Sequence, residues 1–438
     1  MKLPTSCCNY LSVLLVLIGM TSTSFNTHAH QSLDEMAKQY VYLVLALGEH
    51  DSGYVDAYYG PAHWQAVVKQ QAWSKDVIIT KAKKLQHDLP KTSDFKDKMD
   101  KLRVHYLHKQ LTALITHADA LASKNTAKAK YSFDQQSRLL YDTQAPHHNL
   151  ADYDDALAAI EKLLPGDEPL FERVERFQKR FEIPADKLAV VFDRALKECR
   201  DRTKVFIQLL DKENFTIEYV NDKPWSGYNW YKGDAYSLIQ VNIDFPTAIS
   251  RAVDLGCHEG YPGHHTYNAL LEHHLVKKRG WMEYAVYPLY SPQSLIAEGS
   301  ANYGIEMAFP GDEKTQFEQQ VLFPLAGLDS NTAQEYEHFQ KLKSKLGFSR
   351  NEIARMYING DIDREKAIAL TQKYGMTTRA KAEQGLRFID AYGAYVINYN
   401  WGRKMVKDYI EQAKSADERW QRFYQLLSSP RIPSSLEM

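Results

Sequence analysis

The chain has 438 residues, of which 44% are hydrophobic and 25% are charged, and its formal net charge is −1. These proportions are those of an average globular protein, so they exclude an intrinsically disordered or fibrous chain. The near-neutral charge argues against a nucleic-acid partner, because proteins that bind nucleic acid carry a basic excess.

The first 29 residues have the features of a secretory signal peptide. Lys2 supplies a basic start, Leu11–Ile18 is an apolar run, and Thr27, His28 and Ala29 offer a small-residue cleavage site. The apolar run is shorter than the roughly 20 residues that a membrane-spanning helix needs. We therefore expect cleavage near Ala29, export to the periplasm or the medium, and no integral membrane segment in the mature chain.

Cleavage at that position leaves two cysteines, Cys199 and Cys257. Two cysteines in so long a chain do not make a disulfide framework, although one disulfide is possible in an oxidising compartment. Because Cys257 lies inside the most functional-looking segment of the sequence, we expect two separate buried thiols.

Most of the mature sequence has a helical period, with apolar residues at every third or fourth position. The pattern is clearest in four segments: Leu33–His50, Asp97–Leu121, Leu170–Phe181 and Asp186–Leu210. Between the first two, the Gly- and Tyr-rich loop Asp51–Pro61 is expected to be an ordered turn near a cleft or a packed connector.

The region between residues 215 and 245 breaks the helical pattern. Apolar residues at positions 239, 241 and 243 alternate with Gln240 and Asn242, which is the period of a half-buried strand. Peptide substrates bind many proteins as an added strand along a free sheet edge. We expect such an edge here, with Gln240 and Asn242 contacting substrate; a strand paired on both sides is the alternative.

These patterns predict a mainly α protein with a small β-sheet, an α+β fold. Residues 30–210 would form a helical N-terminal part and residues 211–438 the part that carries the chemistry. We expect the two parts to be integrated into one domain.

The segment after the predicted strand, DLGCHEGYPGHH, contains the residue types of a zinc hydrolase site. In the HExxH motif, two histidines lie one helical turn apart and the glutamate between them activates water. Here His258 and His264 are separated by about 240° on a regular helix, and His265 is in phase but about 10 Å along the axis from His258. The intervening proline and glycines favour a two-residue bulge that returns His264 to the position of the second histidine. A helix end with exposed histidines is the alternative.

A zinc peptidase needs a third protein ligand and leaves one position open. Glu298 follows in the sequence AEGSANYGIE, where Glu298, Asn302 and Glu306 recur at a spacing of four residues. This spacing puts the three side chains on one helix face, as expected for a stripe that faces a metal. A solvated surface stripe is the alternative.

HEGYPGHH followed by EGSANYGIE resembles the HExxPGHH and EGWAxYxE motifs of a large bacterial family, domain-of-unknown-function family 885, whose members look like gluzincin metallopeptidases. Further along, Arg387-Phe388 and GAYVINYNWG (Gly393–Gly402) resemble the Arg-Tyr and PGQAxSYKxG motifs of that family. The resemblance extends from about Tyr236 to Gly402. Ser300 departs from it by replacing the family tryptophan, which bears on substrate preference more than on metal binding.

The resemblance implies a helical metallopeptidase-like scaffold with a deep substrate cleft and one zinc ion per chain. The residues that match the family's zinc ligands and general base are His258, His264 and Glu298 for the metal and Glu259 for the base. Tyr399 and Arg387 match the tyrosine and the arginine of the family, and either side chain would supply the donor that an oxyanion needs.

Three further polar residues are candidates for orienting the metal ligands by hydrogen bonds without touching the metal: Asp254, Glu306 and His265. Asp254 lies one turn before His258, and a plain salt-bridging role is the interpretation we favour for it. The sequence thus predicts an exported zinc-dependent peptide hydrolase. The alternatives are a zinc amidase acting on a non-peptide or cell-wall substrate, and a non-catalytic binding protein stabilised by metal, which four protein ligands would indicate.

Overall fold

A central buried helix, two small sheets and a surrounding shell of helices make up the protein. The computed structural model describes residues 32–123, 130–223, 227–244 and 246–436. The predicted signal peptide lies outside the described residues. Leu33–Met438 forms one compact unit, so the boundary drawn at residue 210 falls inside it.

The α-helices of the described residues are α1 (Leu33–Gly48), α2 (Ala62–Gln71), α3 (Lys75–Asp88), α4 (Lys98–Ala122), α5 (Phe133–Tyr141), α6 (Asp154–Leu163), α7 (Leu170–Lys179), α8 (Leu188–Lys204), α9 (Ser250–Leu255), α10 (His264–Leu271), α11 (Pro292–Ala308), α12 (Glu313–Phe317), α13 (Phe323–Ala326), α14 (Ala333–Ser344), α15 (Ser349–Asn359), α16 (Arg364–Gly375), α17 (Arg379–Tyr392), α18 (Ile397–Ile410) and α19 (Ala416–Leu427). The strands are β1 (Val55–Tyr58), β2 (Asn214–Val220), β3 (Gly227–Gly233), β4 (Tyr236–Asn242) and β5 (Val286–Pro288). The prediction of a mainly α protein with a small β-sheet is confirmed. No helix in the described ranges is long and apolar enough to cross a membrane.

Helix α11 is the central element that carries Glu298 into the interior. It begins at Pro292, after Ser291, whose hydroxyl accepts a hydrogen bond from the backbone N–H of Ser294. Helix α18 packs directly against it, because a Cβ on Gly299 would lie 2.5 Å from the carbonyl carbon of Gly402. The close approach of the two backbones leaves Glu298 buried between helices.

The larger sheet has the strand order β2-β4-β3, with β2 parallel and β3 antiparallel to β4. The predicted strand is therefore the central strand, and the expectation that it offers a free edge is wrong. Gln240 accepts a hydrogen bond from Trp230 at 2.9 Å and donates one to Glu218, while Asn242 donates to the carbonyl of Lys223. These contacts hold the sheet together, and neither Gln240 nor Asn242 lines the cleft described below, so the expectation that they contact substrate is wrong.

The smaller sheet pairs β1 with β5 in antiparallel register. Strand β1 lies within the loop Asp51–Pro61, where the sequence analysis predicts a turn or connector. The strand places Asp56 at the wall of the cavity described below.

A disulfide joins Cys199 of α8 to Cys257, with a Cα–Cα distance of 5.3 Å. The prediction of two separate thiols is wrong, because α8 packs along the segment that follows α9 and both sulfurs are fully buried in that contact. The covalent link thus fastens the residue immediately before His258 to a long helix of the N-terminal half.

Candidate metal centre

The segment that carries the first histidine is a helix that widens and then stops. Helix α9 continues as a π-helical turn over Gly256–Gly260, which carries His258 and Glu259, and α10 begins at His264. The expected loosening is confirmed, although it is an interruption between two helical segments rather than a bulge in a continuous helix. A Cβ on Gly263 would lie 1.8 Å from the carbonyl oxygen of His258, so only glycine fits at the interruption.

The three residues predicted as ligands lie together in the structure. The Nε2 atoms of His258 and His264 are 3.1 Å apart. Glu298 places Oε2 at 3.3 Å from Nε2 of His258 and Oε1 at 3.9 Å from Nε2 of His264. Their ligand atoms all fall within 4.8 Å of one another, and among the described residues they are the one group of three with this geometry.

The electrostatics of the group favour the metal-binding form at His264 and Glu298 but not at His258. Burial lowers the pKa of His258, but the hydrogen bond with Glu298 and the charges of Glu259 and Glu298 outweigh burial and raise it. Burial, together with the neighbouring His258, lowers the pKa of His264 to about 4, so its ring is neutral at physiological pH. Burial alone would raise the pKa of Glu298, but the hydrogen bond and charge of His258 and the charge of His264 keep it below its ordinary value. A neutral imidazole and an ionised carboxylate are the protonation states that metal coordination requires.

The donor set also fits zinc in its chemistry. Two imidazoles and one carboxylate are the three protein ligands of a common type of catalytic zinc site. Oε2 of Glu298 is buried, and its recorded neighbour within the described part of the chain is Nε2 of His258, at 3.3 Å and without the geometry of a good hydrogen bond. A buried carboxylate oxygen in that state is costly, and a bound cation would satisfy it.

His265 is directed away from this group. Its Nδ1 is 2.8 Å from the hydroxyl of Ser237 on β4, and its Nε2 is 3.1 Å from Oε2 of Glu213. The ring therefore ties α10 to the large sheet, and the recorded hydrogen bonds give it no contact with the ligands it was predicted to support.

Glu259 lies beside the predicted ligands without being one of them. Its side chain is buried and lines the cavity, and the amide of Asn229 on β3 donates to its backbone carbonyl at 2.6 Å. Burial and the nearby charge of Glu298 raise the pKa of Glu259 to about 7. The carboxylate thus faces the same open space as the histidines.

That space is a cleft of about 910 Å³. One wall is a row of aromatic side chains from α17, α18 and the turn between them: Phe388, Tyr392, Tyr395 and Tyr399. The cleft is also lined by Asp56 of β1 with Tyr228 and Trp230 of β3. The hydroxyl of Tyr228 donates to Asp56, a pair that the sequence analysis missed because the two positions are 172 apart in the sequence.

Two tyrosines of the aromatic wall face the candidate ligands. Tyr395, whose ring centroid is 5.7 Å from that of Tyr399, donates from its hydroxyl to Oε1 of Glu298 at 3.0 Å. Tyr399 lines the cleft, and burial together with the charge of Glu298 holds the pKa of its phenol well above the ordinary value. Its hydroxyl therefore stays protonated and able to donate.

Arg387 does not reach the cleft. Its side chain is exposed to solvent, whereas the next residue, Phe388, lines the cavity. Consecutive residues of a helix point about 100° apart, so the two cannot face the same side of α17. The expectation that Arg387 donates to an oxyanion is wrong, and the arginine that α15 contributes to the cleft is Arg350.

The two remaining acidic candidates form ion pairs. Lys314 lies 2.8 Å from Asp254, which confirms the salt-bridging interpretation. Lys407 lies 2.9 Å from Glu306 and Arg403 also pairs with it, so Glu306 is held by cations of α18 instead of supporting a ligand.

Comparison with protein-family models and with curated proteins gives no match. One similar solved structure is described as "The crystal structure of the putative lipoprotein from Colwellia psychrerythraea", with a TM-score of 0.51, 15% identity, and coverage of 86% of this chain and 75% of that chain. A second, described as "BsuCP Crystal Structure", has a TM-score of 0.46 and 13% identity and covers 90% of this chain and 88% of that chain. At 15% identity, the likeness to the first of them concerns the fold alone.

Proposed function

We propose that this protein is a zinc-dependent peptide hydrolase with Glu259 as its general base. The observation that carries the proposal is the convergence of His258, His264 and Glu298 next to Glu259 at the wall of a large cleft. The sequence resemblance to gluzincin-like metallopeptidases assigns the same four residues these roles.

The proposal assigns separate roles to the metal ligands, to Glu259 and to the two tyrosines that face the ligands. His258, His264 and Glu298 would hold the zinc, which would supply a Lewis acid and lower the pKa of water to about 7. The carboxylate of Glu259 accepts the proton of the attacking water and returns it to the leaving amine. The hydroxyl of Tyr399 donates to the oxyanion that forms on the substrate carbonyl, and Tyr395 holds Glu298 through its 3.0 Å hydrogen bond.

The number of ligands favours catalysis over a purely structural metal. Structural zinc sites have four protein ligands, and catalytic sites have three with one position left for water or substrate. Among the described residues, the group consists of His258, His264 and Glu298, and all three line the cleft. An open position on a cleft is what hydrolysis needs.

Export is part of the proposal. It rests on the signal-like residues 1–29 and is supported by the disulfide between Cys199 and Cys257, because disulfides persist mainly in oxidising compartments. The Colwellia psychrerythraea protein of similar fold is itself described as a lipoprotein, a class of exported protein.

The test is the metal content of the purified protein, followed by digestion of a peptide library with and without a chelator. We expect one zinc per chain, cleavage of peptides, loss of cleavage with chelator and its return with added zinc. Cleavage that a chelator does not affect, or a protein that binds no zinc, would overturn the proposal. A protein that binds zinc and cleaves cell-wall amides but no member of the library would establish the amidase alternative.

A further inference from the structure

The cationic side chains of the cleft are nearly all neutralised by acids. The four that have an acidic partner are Lys314 with Asp254 at 2.8 Å, Lys341 with Asp312 at 3.2 Å, Arg251 with Asp254 at 3.8 Å, and Arg403 with Glu306. These pairs leave little net charge with which to attract a substrate anion.

Arg350 is the exception. Within the described part of the chain it forms no ion pair, and its guanidinium instead lies over the ring of Phe388, at 4.9 Å from the centroid. Its side chain is exposed to the cleft. A guanidinium stacked on a ring keeps the donors at its edge available, and these donors match the two oxygens of a carboxylate.

The position of Arg350 relative to the reacting centre is set by the aromatic wall. Tyr395 contacts Glu298, the ring of Tyr399 is 5.7 Å from that of Tyr395, and the ring of Phe388 is 6.4 Å from that of Tyr399. Arg350 lies over Phe388, whose ring is also 6.4 Å from that of Tyr395, so the guanidinium lies beside this aromatic cluster. Two side chains, Phe388 and Tyr395, thus connect the guanidinium to the candidate ligand Glu298.

A second feature of α15 favours an anion at this position. Arg350 is the second residue of that helix, where the helix dipole is positive. The guanidinium and the helix end therefore attract negative charge together. The acid in the first turn of α15, Glu352, is paired with Arg355.

We propose that Arg350 binds a carboxylate of the substrate and makes the enzyme prefer substrates that carry one beside the bond to be cut. This inference rests on the proposed function, since it assumes that the cleft binds peptides. The carboxylate has two sources in a peptide, the C-terminal α-carboxylate or an acidic side chain. Both present the same group to a guanidinium.

The test measures binding, so that it does not depend on turnover. The full-length, zinc-loaded Glu259→Gln protein is titrated by calorimetry with Ala-Ala-Phe as the free acid, with its C-terminal amide, and with Ala-Ala-Glu amide, which keeps only a side-chain carboxylate. We expect at least one carboxylate peptide to bind about tenfold or more tightly than the neutral amide, as a charge-assisted hydrogen bond provides. Which of the two does so identifies the source.

The same titrations in Glu259→Gln/Arg350→Ala should give equal affinities for all three peptides, and Arg350→Lys should retain part of the preference. Arg387→Ala is the matched control, because that arginine is exposed on α17 outside the cleft, and the preference should be unchanged. Thermal unfolding of each variant confirms that it is folded. Equal binding of all three peptides before Arg350 is changed, or a preference that survives Arg350→Ala, would overturn the inference.

Failure of the proposed function has a different signature. A wild-type protein that cuts none of these peptides, while the variants still show a carboxylate preference that depends on Arg350, contradicts hydrolysis and supports the binding role of Arg350. A carboxylate preference that Arg350→Ala leaves intact contradicts the binding role of Arg350 and shows that another group of the cleft receives the carboxylate.

Discussion

His264 and His265 are neighbours in the sequence with different surroundings in the structure. The ring of His264 faces His258 and Glu298, whereas that of His265 is held between Ser237 and Glu213. Because consecutive helical residues point about 100° apart, only one of two adjacent histidines can join the group on this side of α10. Substitution can therefore separate metal binding from packing.

We predict that His264→Ala loses zinc, while His265→Ala keeps it and is less stable. Removing the His265 ring leaves the Ser237 hydroxyl without its recorded partner and takes one partner from Glu213, which keeps Arg200 and Tyr261. The loss should lower the free energy of unfolding by about 1–3 kcal/mol. Metal content and denaturant unfolding of the two variants measure both effects. The reverse pattern, with zinc lost only in His265→Ala, would show that the second ligand has been misassigned.

For the oxyanion donor, we predict that Tyr399→Phe lowers kcat by about 10²–10³, the usual effect of losing one such donor. The change deletes only a hydroxyl, so the ring still packs against Tyr395 and Phe388 and the Tm should move little. Arg387→Lys serves as the control and should keep its kcat. An unchanged kcat in Tyr399→Phe, or a large loss in Arg387→Lys, would contradict this assignment.

The sequence predicts the candidate ligands better than it predicts the rest of the cleft. His258, Glu259 and His264 lie within seven residues and Glu298 belongs to a second recognisable motif, so local patterns identify them. Arg350 belongs to no such motif, and its place in the cleft depends on how α15 packs against α16 and against the turn Gly393–Val396 that follows α17. A linear pattern does not contain that information.

At the scale of elements, the interruption between α9 and α10 positions both histidines. The π-helical turn Gly256–Gly260 carries the first, and Gly263 allows the chain to restart at the second. The backbone N–H of Gly263 donates to the carbonyl of Cys257 at 3.0 Å. This compact connection leaves no room for a side chain.

We predict that Gly263→Ala abolishes zinc binding and lowers the Tm, because its Cβ would lie 1.8 Å from the carbonyl oxygen of His258. Gly385→Ala is the matched control: that glycine lies inside α17, and its Cβ would be 3.9 Å from Thr371, an ordinary contact. The control should keep its zinc and gain up to about 1 kcal/mol in the free energy of unfolding. A zinc-replete, fully stable Gly263→Ala protein would show that the connection is looser than described.

The larger sheet shows that the sequence predicts a strand but not the strands that pair with it. Alternation of apolar and polar residues around Gln240 correctly predicts a strand, because side-chain direction in a strand has a period of two. The same pattern says nothing about how many neighbours the strand has. Pairing of β4 with β2 on one side and β3 on the other depends on residues outside the strand itself.

At the scale of the whole molecule, the N-terminal half contacts the candidate metal centre and its cleft at two places. Helix α8 is linked to the π-helical turn through Cys199 and Cys257, and β1 supplies Asp56 to the cleft. A mainly α fold is predictable because helical periodicity is local. Contacts between the two halves, including the disulfide, cannot be predicted from local patterns, because they depend on how the helices pack.

The disulfide should contribute substantially to stability. It closes a loop across 58 residues, for which the chain-entropy argument gives about 4 kcal/mol of unfolding free energy. We expect Cys199→Ala/Cys257→Ala to unfold at lower denaturant concentration than the oxidised wild type, and reductant to lower the stability of the wild type alone. An identical unfolding midpoint for oxidised wild type and double variant would contradict the predicted contribution.

The central claim is that His258, His264 and Glu298 hold zinc while Glu259 acts as the base, and Glu259→Gln tests it most directly. The substitution keeps the shape of the side chain but removes its ability to accept a proton. The account predicts one zinc per chain, an unchanged Tm, and a kcat for peptide hydrolysis lower by about 10²–10⁴, the contribution of general acid–base catalysis. Loss of zinc from Glu259→Gln, or a kcat equal to that of the wild type, would contradict it.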